Sequence, residues 1–302
     1  MLTSKHGSAI VIVLIILFIS LGLTFFGIRI SRRVNQSSYM LMNKLQAEIG
    51  ADSAIEKLKF YILTGKPYSS YVEKQTLINM PAKIYLDGRI QKLDNYTSIS
   101  LKDIGSKLNI WSFNFNILQR LLANDNLTES KVSEIINSLK DWYDSDDLNR
   151  LHGAEALYYS SKECKYSPRN FSGVQSIYEW RLIKGIEDNK TFNFLKKYLT
   201  ISPGWHPDIN SMDKYMLSAF LDIPLYSAEN LVKIRNEKGF LDNKDLNAFL
   251  KPNSVMNYYF YPTFIIDIKV EFRFNGAVEK RRCEIDFAGD KKAPYRVIEW
   301  IN

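Results

Sequence analysis

The chain has 302 residues, 46% hydrophobic, 24% charged and 13% aromatic, with a net charge of +7. That composition is globular and sufficient to bury a core, whereas two cysteines exclude a disulfide scaffold and, with three histidines, argue against a structural zinc site. Charges of both signs are interspersed, so the basic excess is a weak argument for a nucleic-acid or anionic-lipid partner.

The polar leader MLTSKHG precedes Ser8 to Ile28, a block without a charge. As a helix this block spans about 30 Å, the thickness of a bilayer's hydrocarbon core. A cleavable secretory signal has a shorter apolar region and a small-residue cleavage site; here the helical pattern runs on, so the anchor is read as retained. No proline occurs before Pro67. Apolar residues recur at Leu41, Leu45, Ile49, Ile55, Leu58 and Ile62, a helical spacing on one face. One helix from Ser8 to about Leu63, roughly 80 Å long, is predicted, stopped by Gly65, Lys66 and Pro67. Arg29, Arg32 and Arg33 follow the apolar block, and the positive-inside rule alone would put the large domain in the cytoplasm.

Between Ala82 and Ile104 the pattern turns to strands: KIYL, Asp87-Gly88 and RIQKL read as a hairpin. Helices are predicted over Asn116–Ala123, Thr128–Tyr143, Val174–Lys184, Thr191–Tyr198, Lys214–Phe220, Ser227–Asn236 and Asp242–Leu250. Phe264, Ile266, Ile268, Val270, Phe272 and Phe274 then alternate with polar or outward positions, the mark of a strand with one wet face. Asn275-Gly276 supplies a type I′ turn into Ala277–Phe287, and Tyr295–Trp300 offers a last strand. The early strands are too few to bury a face alone, so they are expected to join the last ones in a single sheet packed on the long helix. The fold class is α+β: a transmembrane helix packed on a small antiparallel sheet, with an all-helical domain inserted between the strands. The expected segments are a leader at 1–7, a transmembrane helix at 8–28, helix continuation and first strands at 29–111, the helical insertion at 112–255 and closing strands at 256–302.

Asp144, Asp146, Asp147 and Glu155 cluster at the end of a helix, and Asp144 and Glu155 have the first-to-twelfth spacing of an EF-hand loop. Leu148 and Asn149 occupy places where an oxygen ligand and Gly are required, so the loop is not an EF-hand. Clustered carboxylates on a loop nevertheless suit a hard cation, against the alternative of a solvated helix end. Residues 217–250 resemble a helix-hairpin-helix, but the hairpin at 222–226 has no Gly, Pro224 has no N–H and Asp222 would repel phosphate. A packing role is read there, and no nucleic-acid partner is expected. No Walker loop, G-x-S-x-G or H-E-x-x-H occurs, and His6, His152 and His206 fall in unrelated contexts. No catalytic constellation and no enzyme are expected.

The leader, with Lys5 and Gly7 abutting the apolar helix, resembles the class III leader of type IV pilins and pseudopilins. The resemblance implies cutting by prepilin peptidase between Gly7 and Ser8. Further strings extend it: LKDIGSKLNI at 101–110, SLKDWYDSDD followed by GAEALYY, SIYEWRLIKGI, and the helix pair before the closing strands. Together these resemble the general secretion pathway protein K family, the large minor pseudopilin of type II secretion systems. The resemblance implies a pilin-like frame with an inserted helical domain, calcium bound in that domain, and a place at the pseudopilus tip in a hetero-oligomer with other minor pseudopilins. It also implies contact with the inner-membrane secretion assembly and membrane lipid, in a single-pass inner-membrane protein whose C-terminal domain is periplasmic. Most pilin-like proteins carry Glu at the fifth mature position, where it offsets the terminal amine of the subunit above; here that position is Ile12. A tip subunit, with no neighbour above, needs no such Glu. The other readings are a tip subunit of a DNA-uptake or type IV pilus-like machine and a signal-anchored periplasmic enzyme or cell-wall-binding protein. In an oxidising compartment Cys164 and Cys283 could be bonded, tying insertion to sheet, or could be two free thiols.

Overall fold

In the computed structural model the described residues are 5–74, 80–125, 127–162, 166–170, 174–202, 206–250, 258–289 and 292–301. The first helix, α1, runs Lys5–Thr64 and ends where Gly65 donates its N–H to the Tyr61 carbonyl at 2.8 Å. Its apolar stretch is long enough to cross a membrane, and among the described residues none of it is buried. Burial begins at Ala47, and Ala51, Ala54, Ile55, Leu58 and Tyr61 form the helix's contribution to a core. The predicted stripe is therefore divided. Ile55, Leu58 and Ile62 are buried, whereas Leu41, Leu45 and Ile49 are 60%, 49% and 69% exposed, because the sheet covers only the last turns.

Strands β1 (Lys66–Pro67), β2 (Tyr71–Glu73) and β3 (Lys83–Tyr85) make a small antiparallel sheet. β4 (Asp87–Lys92) and β5 (Thr97–Asp103) belong to the main sheet. The hairpin predicted through Asp87-Gly88 does not form. Gly88, at φ +87°, lies within a register shift of β4 against β5, and β3 turns away to pair with β2.

The insertion follows. β6 (Leu108–Asn109) leads to α2 (Phe115–Ala123), α3 (Glu129–Tyr143), α4 (Ala156–Ser160), a 3-10 helix at Ile177–Leu182 and α5 (Asn189–Tyr198). β7 (Leu199–Thr200) pairs in parallel with β6, and α6 (Lys214–Leu221), α7 (Leu225–Lys238) and α8 (Asn243–Asn247) complete it. The starts carry side-chain caps: Thr128, Asp188 and Asp213 each accept an N–H of the first turn. Leu118, Leu121, Ile135, Leu139, Trp142, Trp180 and Leu217 centre a second core, separate from that of α1.

β8 (Ile265–Phe274) and β9 (Ala277–Asp286) join through Asn275 and Gly276, both at positive φ as a type I′ turn requires, and β10 (Arg296–Ile301) follows. The sheet order is β10-β9-β8-β5-β4, so early and late strands share one antiparallel sheet through β5 and β8. Ile266, Ile268 and Val270 face α1, while Asp267 and Lys269 face the other way. Helix and sheet meet at Gly50, where any Cβ would overlap the Phe272 ring.

Candidate functional site

The loop after α3 folds back on that helix. Asp141, fully buried on α3, accepts N–H groups from Arg150 at 3.2 Å and Ala154 at 2.9 Å through Oδ2. Its Oδ1 accepts Arg150 Nη1 at 2.7 Å, and the same nitrogen reaches Asp144 Oδ2. Gly153 is required where the loop crosses Asp141, because a Cβ there would overlap Oδ2. The turn delivers Glu155, 2% exposed, to the start of α4.

One carboxylate oxygen from each of Asp141, Asp144 and Glu155 lies within 4.8 Å of the others. Glu155 Oε1 and Oε2 and Asp144 Oδ1 are buried without a hydrogen-bond partner. Burial first, and then the charges of Asp141 and Asp144, raise the Glu155 carboxyl to about 7. Oxygens this far apart match the span of two ligands about 2.4 Å from a common calcium ion, and orphaned buried oxygens are what an oxygen-liganded cation satisfies. The residues fit a hard cation, with the Arg150 guanidinium already offsetting part of the charge.

Of the four carboxylates singled out by sequence, the structure brings together Asp144 and Glu155. Asp146 and Asp147 point to solvent, and Asp146 Oδ1 accepts the N–H of Leu148 at 2.9 Å. Asp141 takes their place. Its signal was the three-residue spacing from Asp144, which puts both on one side of a helix. Cys283 is a free thiol, 1% exposed in the core against α1, and burial pushes it up to about 12. Cys164 lies outside the described residues. Gly7 and Ser8 fall in the first turns of α1, and Ile12 is 56% exposed on it. The hairpin at Asp222 takes the left-handed conformation at φ 55°, and Asp222 pairs with Arg120 at 3.6 Å, fastening α6 to α2.

An apolar helix long enough to cross a membrane, the last third of which lies on a five-stranded antiparallel sheet, with a helical domain spliced into that sheet, defines a pilin-like fold. Residues 101–204 match the model of the family described as Type II secretion system (T2SS), protein K. Over those residues, about a third of the chain, it is similar to that family. A curated Escherichia coli (strain K12) protein named "Putative type II secretion system protein K" is 34% identical over 119 residues, 38% of this chain and 34% of that protein. The match thus spans about a third of that relative's length. A chain of the crystal structure of the GspK-GspI-GspJ complex from the enterotoxigenic Escherichia coli type 2 secretion system has the same fold. It superposes with a TM-score of 0.56 at 16% identity, covering 88% of this chain and 98% of that one.

Proposed function

We propose that this protein is a minor pseudopilin that initiates and caps the tip of a type II secretion pseudopilus, acting by assembly and not by catalysis. The carrying observation is the exposed helix. Beyond the apolar block, Val34, Tyr39, Leu41, Leu45 and Ile49 are exposed on a stretch of α1 that the described residues leave uncovered, an apolar surface awaiting other helices. The partners are other minor pseudopilins, in the way that GspI and GspJ accompany GspK in its complex. Ile12 in place of a carboxylate leaves nothing to offset the amine of a subunit above, which suits the top position. Removal of residues 1–7 by prepilin peptidase frees the Ser8 amine, and the C-terminal domain lies in the periplasm.

Asp141, Asp144 and Glu155 would hold calcium, which when bound supplies the charge that the buried carboxylates lack and fixes the loop at 144–155 against α3. Cysteine crosslinking from positions 41, 45 and 49 tests the assembly. Crosslinks to other pseudopilins at one copy per filament are expected, and adducts repeating along the shaft would refute the tip position.

A further inference from the structure

On the face of the main sheet turned away from α1, the helical insertion leaves a cleft of about 760 Å³. Its floor is β5, β8 and β9, and its walls are the end of α5 and the middle of α7. Eight Lys and Arg side chains line it against three Asp, a surplus of five positive charges in one concavity. The acids are already engaged. Asp267 accepts from Lys107 at 3.3 Å and from Arg282 at 2.9 and 3.0 Å, Asp213 from Lys197 at 3.0 Å, and Asp87 from Arg89 at 2.9 and 3.0 Å.

Several donors remain uncommitted. Among the described residues the Lys102 ammonium makes no hydrogen bond or ion pair and lies 5.7 Å from the Tyr198 ring centre. Lys269 sits opposite Arg282 in the β8–β9 register; Arg282 is held by Asp267, whereas Lys269 makes no ion pair among the described residues. Arg235 is 5% exposed; its Nη1 holds the Asn210 and Met212 carbonyls, but its buried Nε has no partner. Burial lowers the Lys102 ammonium to about 8; Asp213 and Asp267 oppose that fall, while Lys107 and Lys197 add to it.

We propose that this cleft binds a compact anion carrying at least two negative charges, of the phosphate or polycarboxylate class, between the helical insertion and the sheet. Compactness follows from depth. Lys107 and Arg235 are each 5% exposed, beyond the reach of a flat surface such as a membrane. The site lies on a different element set from the carboxylate cluster and would couple the two cores, since its donors come from both.

The test is calorimetric titration of the full chain in nonionic detergent, freed of divalent metal on a chelating resin, using sodium pyrophosphate and, separately, sodium citrate at ionic strength held constant with sodium chloride. Saturable one-site binding of either anion is expected, and the tighter of the two names the class. K102Q/K269Q, which removes two cations that hold no ion pair, should weaken binding at least tenfold, while K57Q on the exposed side of α1 should leave it unchanged. Melting without anion checks that the double variant folds, and it should melt no lower than the native chain. No binding above the chloride background, or equal binding by the double variant, overturns the proposal. So does binding of hexaglutamate peptide in place of both small anions, which would make the cleft a docking surface for acidic polypeptide.

Discussion

The Thr263 hydroxyl donates to the Asp103 carboxylate, lying 2.9 Å from Oδ1 and 3.0 Å from Oδ2, across 160 residues of sequence. Asp103 is the last residue of β5, where the chain leaves the sheet, and Thr263 stands two residues before β8, where it returns. The Phe264 N–H adds a bond to Asp103 Oδ2 at 2.9 Å, and the Gly105 N–H one to Oδ1 at 2.8 Å. One buried carboxylate thus clasps both crossings between frame and insertion, and lets a helical domain sit in a sheet without prising β5 from β8. Thr263→Val keeps the shape and removes the donor. It should destabilise the protein by about 1–3 kcal/mol, read as a melting shift of roughly 2–10 °C in a chain of this size.

Glu155→Gln should separate charge from metal. With EDTA present the variant should melt higher than the native chain, because a carboxyl raised by burial beside Asp141 and Asp144 no longer has to ionise. In millimolar calcium it should lose the stabilisation that the native chain gains. Asp146→Asn with Asp147→Asn should retain that gain, and its loss would return the metal site to the exposed run.

Gly153→Ala places a methyl group on Asp141 Oδ2 and must push the loop off α3. The calcium-dependent melting shift should disappear even though every carboxylate is still present. A full shift in this variant would show that the cation is held elsewhere.

Stability of the metal-free protein should fall as pH rises from about 4.5 to 8. Glu155, raised to about 7, binds its proton more tightly folded than unfolded, and burial raises Asp103 and Asp208 in the same direction, with the Asp103 charge adding at Asp208. Groups raised in this way stabilise the fold below their unfolded values, near 4, and that contribution is lost as pH climbs through the folded ones. Glu155 alone should account for roughly 2–4 kcal/mol of the change. Melting in EDTA across that range checks the sign, and calcium at pH 8 should recover stability that it does not add at pH 5.

Gly50→Leu should detach α1 from the sheet. A side chain there overlaps the Phe272 ring, and overpacking of this kind costs about 1–3 kcal/mol or more. The readout is trypsin cleavage within 44–59, which should accelerate while cleavage in the insertion does not.

What the sequence determined by itself was whatever one segment's periodicity controls. The apolar block and its continuation specify α1, because an uninterrupted helix satisfies its own backbone without help from elsewhere. The alternation from Phe264 to Phe274, and Asn275-Gly276 after it, specify β8 and its turn into β9 because pleat and turn geometry are local. Tertiary structure decided what depends on distant chain meeting. Leu41 and Ile55 share one helical stripe, yet only Ile55 is buried, since the sheet's reach along α1 is not written in the helix. Asp87-Gly88 has a hairpin's composition but became a bulge because β3 found β2 as its partner. Asp141 joined Asp144 and Glu155, in place of Asp146 and Asp147, because the return of the loop at Gly153 set which carboxylates face inward. The basic cleft is the furthest from legibility. Lys102, Arg235 and Lys269 are scattered along the chain, and only the packing of the insertion on the sheet turns them into one field.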